Sequence, residues 1–143
     1  MILREPEPAP TGRSSLRDAL EVTGRDVERI KVNVSATGPL WYSTNVVNEI
    51  QAAVKQAVEN AARHSGVSKV TVFAEEDGDV LAVTVRDSGV GFNYDERALA
   101  ADGKVGIVKS MKGRIEDLGG EMRIVSAPGA GTEIEFKVPV ADA

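Results

Sequence analysis

A chain of 143 residues is long enough to bury a core and short enough to be one domain. Its hydrophobic share of 42% and charged share of 27% are ordinary for a globular protein, and a net charge of −5 argues against a broad nucleic-acid surface, which requires a basic excess. The absence of cysteine excludes disulfides and thiolate chemistry, and the single histidine, His64, excludes a multi-histidine metal site. No apolar run approaches the roughly 20 residues of a membrane span and no signal peptide is visible. The chain is therefore expected to be soluble and cytoplasmic, without direct membrane contact.

Residues Met1 to Arg13 read as a linker, because Pro6, Pro8 and Pro10 alternate with charged and small residues and resist regular structure. Ser14 or Ser15 is placed to cap a short helix carrying Leu16, Ala19 and Leu20, which Gly24 is expected to end. Ile30, Val32 and Val34 alternate with Lys31 and Asn33 as in a half-buried strand, closed by a Gly38-Pro39 turn. Trp41 and Tyr42 are expected to pack at the edge of the core.

Ser43 or Thr44 caps the longest helix, which runs to about His64. Val46, Val47, Ile50, Val54, Ala57, Val58 and Ala61 form its apolar stripe. Glu49, Gln56, Asn60 and Arg63 lie on a second stripe, with Gln56, Asn60 and Arg63 at i, i+4 and i+7. Such a stripe is commonly a solvated face, but asparagine is a mediocre helix former whose carbonyl oxygen is a good ligand for a hard cation.

Gly66 breaks the helix. Lys69 to Glu75 forms a strand, Asp77-Gly78 a hairpin, and Val80 to Arg86 the returning strand, which delivers Asp87. The stretch Asp87-Ser88-Gly89-Val90-Gly91-Phe92 sets an acid beside two glycines. The carboxylate can accept a hydrogen bond from an amino group, and the glycines leave room for a flat ring. The same spacing also describes a plain surface turn. Asn93 to Lys104 reads as a helical turn and a loop ending at Gly103. Gly103-Lys104-Val105-Gly106 opens a helix carrying Val108, Met111, Ile115 and Leu118, a glycine-rich N-terminus that suits a phosphate. Gly119-Gly120 stops it; Met122 and Ile124 mark a strand, Pro128 to Gly131 a turn, and Thr132 to Val138 the last strand. Runs of strands without strict strand–helix alternation predict a mixed, largely antiparallel sheet with two or three helices on one face.

Four motifs in order resemble the sensor histidine kinases. Gln56 to His64 is similar to their N box, Asp87 to Phe92 to the first glycine box and Gly103 to Gly106 to the second; Leu118-Gly119-Gly120 and Ser126 to Thr132 resemble the closing part of the domain. The Arg63-His64 ending, the short lid and the Met111-to-Gly120 helix are similar to the nitrate-sensor-like subgroup. The resemblance implies an α+β two-layer sandwich, the Bergerat or GHKL ATPase fold shared with gyrase, Hsp90 and MutL proteins. It divides the chain into a linker over residues 1–13 and an ATP-binding catalytic domain over 14–143.

By the same resemblance, Asp87 would accept from the adenine amino group, with Gly89 and Gly91 against the ring and Thr132 supporting the pocket. Asn60 would ligate Mg²⁺, Arg63 would touch the phosphates and His64 would lie near the base or ribose. Gly103, Lys104 and Gly106 would frame the lid and the phosphate end. Two departures matter. Gln56 stands where relatives commonly carry a glutamate general base, and a neutral amide takes no proton. A phosphoacceptor histidine is absent, since His64 lies inside the N box. The resemblance thus implies an isolated ATP- and Mg²⁺-binding domain, expected to be monomeric. It would phosphorylate a histidine on a separate dimerisation domain, for relay to a response regulator, within a parent that can be membrane-anchored. A serine kinase of the anti-sigma-factor type and a non-catalytic nucleotide-binding module are the rival readings.

Overall fold

Alternation of apolar and polar residues builds the sheet. The computed structural model describes residues 12–27, 30–64, 69–89 and 105–141, apart from the side chains of Arg63, His64, Val105 and Ile107. Five strands lie in one sheet in the order β2-β4-β5-β7-β6: β2 (Lys31–Ala36), β4 (Lys69–Asp77), β5 (Val80–Asp87), β7 (Thr132–Pro139) and β6 (Glu121–Ser126). The β2–β4 pair is parallel and the other three are antiparallel. Val70, Val72, Ala74, Leu81, Val83, Val85, Ile134, Phe136 and Val138 are buried on the inner face. The outer face is more open, with Phe73 and Val125 exposed.

Three described helices, α1 (Leu16–Asp26), α2 (Thr44–His64) and α3 (Val105–Asp117), contribute the other half of the core. The α2 stripe packs as its periodicity predicts: Val47, Ile50, Val54, Ala57, Val58 and Ala61 are buried, joined by Ala53. Met111 and Ile115 bring α3 against it. The sandwich and its mixed sheet are those expected from the sequence.

Helix ends show their local causes. Ser15 caps α1: its Oγ accepts from Asp18 N at 3.2 Å and donates to Pro39 O at 2.8 Å. Ser43 caps α2, accepting from Val46 N at 3.4 Å. At the end of α3, Gly119 N donates to Glu116 O and Gly120 N to Ile115 O, both at 2.9 Å. This is a Schellman closure, and Gly119 supplies its left-handed residue at φ 78°.

Two expectations are corrected. Gly24 does not end α1, which continues to Asp26; a Cβ there would lie 3.2 Å from Val32 Cβ, so the glycine serves close helix–strand approach. Trp41 and Tyr42 lie in a short strand, β3 (Trp41–Ser43), paired antiparallel with β1 (Arg13–Ser15). Arg13 thus belongs to a strand. Tyr42 is buried and donates to Glu76 Oε1 at 2.7 Å, tying this ribbon to the sheet. Burial first, then the bond to and charge of Glu76, push the Tyr42 hydroxyl's pKa up. Gly66 lies outside the described residues.

Candidate functional site

The acid at the end of β5 is held by strand pairing on one side and by a backbone N–H. Asp87 is half-buried and registers with Thr132, the first residue of β7. Its Oδ1 accepts from Gly89 N at 2.8 Å. A carboxylate offers about four acceptor positions, so capacity remains for a ligand donor. Ser126 Oγ lies 2.8 Å from Thr132 Oγ1 and donates to Gly131 O at 3.1 Å, which fixes the turn into β7. Gly131 has φ 76°, and a Cβ there would strike the Asp87 carbonyl oxygen and come within 3.0 Å of Ser88 Cα.

The polar stripe of α2 faces α3. Gln56 Nε2 donates to Ser110 Oγ at 2.9 Å, and Arg114 Nη1 pairs with Glu49 Oε2 at 3.3 Å. The partners run in opposite directions along the two helices, so α2 and α3 are antiparallel here. One further turn of that register brings Asn60 opposite the N-terminal turn of α3, around Gly106. That first turn carries no acid of its own to offset the helix dipole. Among the described residues, the buried side-chain atoms without a hydrogen-bond partner are Gln56 Oε1, Asn60 Oδ1 and Arg114 Nε. Two are neutral carbonyl oxygens one helical turn apart, the donor type a hard cation takes.

The two halves lie at one end of the molecule. Only five chain steps separate His64 at the end of α2 from Lys69 at the start of β4, at most about 19 Å. Arg86 registers with Thr71, so Asp87 comes back to that same end. Asn60, Asp87, Thr132 and the start of α3 therefore lie toward the same end of the sheet, although they are far apart in the chain. A cleft lined by Glu75, Asp77, Val80 and Lys137 lies at the opposite end of β5 and shares none of these residues.

Of the residues singled out from sequence, Gln56, Asn60, Asp87, Gly89, Gly106 and Thr132 are placed as above. Arg63 and His64 stand in the last turn of α2, with side chains outside the description, and Gly91, Gly103 and Lys104 lie outside the described residues. Ser110 and Arg114 are additions. They carry no motif, and their partners are 54 and 65 residues away.

Residues 45–142 match the family profile described as histidine kinase-, DNA gyrase B- and HSP90-like ATPase. Over 98 residues the chain is 37% identical to the sensor histidine kinase LiaS of Bacillus subtilis, covering 68% of this chain and 26% of LiaS. Over 86 residues it is 38% identical to the sensor protein VraS of Staphylococcus aureus, covering 60% of this chain and 24% of VraS. The aligned part is thus about a quarter of the length of these relatives. Among solved structures, the Acinetobacter baumannii histidine kinase AdeS superposes with a TM-score of 0.72 at 14% identity, over 94% of this chain and 70% of that one. The histidine kinase domain of the Erythrobacter litoralis EL346 blue-light activated kinase gives 0.62 at 24% identity, over 88% and 58%. At such identities the superpositions speak for the fold alone.

Proposed function

Because the chain belongs to the histidine kinase-, DNA gyrase B- and HSP90-like ATPase family, and its relatives are sensor kinases, we propose that it is the Mg-ATP-binding catalytic domain of a sensor histidine kinase. It donates the γ-phosphoryl group of ATP to a histidine on a separate dimerisation domain, from which a response regulator is served. The observation that carries this reading is the pair of buried, unpartnered oxygens, Asn60 Oδ1 and Gln56 Oε1. Leaving them uncompensated costs about 1–3 kcal/mol each, and a divalent cation compensates both.

The residues present fit Mg²⁺ and nucleotide. Asn60 would hold the metal, which supplies charge neutralisation along the phosphate chain when bound. Among the described residues no group of three or more His, Cys, Asp or Glu could hold a metal ion, and a nucleotide's phosphate oxygens would supply further hard ligands beside Asn60. The first turn of α3 would offer backbone N–H groups and positive dipole charge to the phosphates. Asp87 orients the base by accepting from the adenine amino group, and Thr132 and Gly131 hold that strand end still. Positioning and electrostatics dominate phosphoryl transfer, and an acceptor imidazole is itself a nucleophile. The γ-phosphorus–oxygen bond breaks toward ADP as the phosphorus–nitrogen bond forms. Gln56 cannot take a proton from water, which disfavours hydrolysis as the competing reaction.

Calorimetric titration with a non-hydrolysable ATP analogue and Mg²⁺ tests the site. Wild type is expected to bind, and Asp87→Asn to lose at least about 1.4 kcal/mol, a factor of ten. A folded wild type that binds no nucleotide overturns the reading. Binding without transfer from labelled ATP to any histidine-bearing dimerisation domain would instead favour a non-catalytic module, the alternative that Gln56 supports.

A further inference from the structure

Three polar side chains form a row across the end of the sheet. Asp87, Thr132 and Ser126 are cross-strand neighbours on β5, β7 and β6, on the face that carries Val85, Ile134 and Ile124. Ser126 Oγ lies 2.8 Å from Thr132 Oγ1, a contact that by itself runs either way. The carbonyl oxygen of Gly131, 3.1 Å from the same Oγ, settles its direction. A carbonyl only accepts, and a serine hydroxyl has one proton. With that proton on Gly131 O, Ser126 accepts in the second contact and Thr132 donates. The Thr132 proton is thereby spent inside the protein, and its oxygen keeps only lone pairs for a ligand. Thr132 and Asp87 then stand side by side as two acceptors.

We propose that Ser126 is a specificity-determining residue: by taking the Thr132 proton, it makes Asp87 and Thr132 a paired acceptor that selects a purine with an exocyclic amino group over one with a carbonyl at the same position. The inference rests on the nucleotide reading above. A carboxylate alone does not make that choice, because it accepts from the ring N–H of a 6-oxopurine as well as from an adenine amino group. Its neighbour decides. A planar amino group points its two N–H bonds about 120° apart, so two acceptors at hydrogen-bond distance lie about 5 Å from each other. Facing side chains on adjacent antiparallel strands have about that separation. Asp87 and Thr132 can therefore take one N–H each. A 6-oxopurine that gives its ring N–H to Asp87 turns its carbonyl oxygen toward Thr132, where it meets lone pairs. A free threonine hydroxyl would rotate and donate to that oxygen; one committed to Ser126 does not. Thr132 is buried, and a buried polar pair left without its hydrogen bond rejects an analogue strongly. Ser126 itself touches no base and acts through Thr132.

The test is titration of the full chain with non-hydrolysable ATP and ITP analogues in Mg²⁺, because hypoxanthine replaces the 6-amino group by a carbonyl and adds the ring N–H. Wild type is expected to favour the adenine nucleotide. Ser126→Ala frees the Thr132 proton and is expected to narrow the ratio of the two affinities about tenfold, chiefly by strengthening the ITP analogue. Ser126→Thr keeps a hydroxyl between Gly131 and Thr132 and keeps the wild-type ratio. In a Thr132→Val background there is no proton to release, so adding Ser126→Ala does not move the ratio further. Ser126 is half-buried on an edge strand, and a retained urea transition verifies that each variant is folded. Ser126 also fixes the turn into β7, so equal losses for both nucleotides would mark its role as structural and overturn the proposal. Equal binding of both by wild type, or an unmoved ratio in Ser126→Ala, overturns it too; all three leave the nucleotide reading standing. No binding of either nucleotide by folded wild type overturns both.

Discussion

Gly131→Ala puts a methyl group where β5 and β7 meet at the site. Two terms follow from the structure. The residue sits at φ 76°, which costs an L side chain about 1–2 kcal/mol. The new Cβ also strikes the Asp87 carbonyl oxygen. That oxygen is backbone in a strand paired on both edges, so relief requires moving the strand end, at about 1–3 kcal/mol. The sum is about 2–5 kcal/mol. Gly129→Ala is the internal control, because it has φ 80° in the same turn but meets nothing within 4 Å, so it bears only the first term. Thermal unfolding read by circular dichroism separates them at about 4 °C per kcal/mol for a chain of this size. Gly131→Ala is expected to lower Tm by about 8–20 °C, and Gly129→Ala by about 4–8 °C. Gly131→Ala should also weaken binding of the ATP analogue, because the displaced backbone carries the Asp87 carboxylate, whereas Gly129→Ala should not. Equal losses from both variants would refute the claim that this contact positions Asp87.

Gln56→Glu supplies the missing general base, and intrinsic ATP hydrolysis, followed by phosphate release, is expected to rise about a hundredfold; an unchanged rate would show that Gln56 is not what restrains water attack. Tyr42→Phe removes the hydroxyl that donates to Glu76 and should cost about 1 kcal/mol in urea unfolding at neutral pH. Because the folded state raises the Tyr42 pKa, its contribution is fully present below the ordinary tyrosine value of about 10 and lost as pH rises through the folded value. Wild-type stability should therefore fall above about pH 10 more steeply than that of Tyr42→Phe. Parallel alkaline limbs would rule out the buried hydroxyl as the cause.

The elements that could be read from the sequence are those whose causes are local. The α2 stripe is written in steps of three and four residues, the β4 and β7 alternation in steps of two, and the hairpin in Asp77-Gly78; each was placed to within a residue or two. Asp87 at a strand end and Asn60 on a polar helix face were visible for the same reason. Tertiary packing decided the remainder. A three-residue strand has no periodicity to read, so β1 and β3 emerge only when Arg13 meets Ser43 across the fold. Gly24 reads as a stop because glycine is a poor helix former, yet helix–strand contact with Val32 outweighs that propensity. Whether the Gln56 and Asn60 face meets water or protein was beyond any local pattern. It turns on Ser110 and Arg114, brought from 54 and 65 residues away, and their packing leaves two carbonyl oxygens buried without a donor. Periodicity records which side of an element is apolar; only the assembled layers determine which polar groups become buried and what remains for a ligand to satisfy.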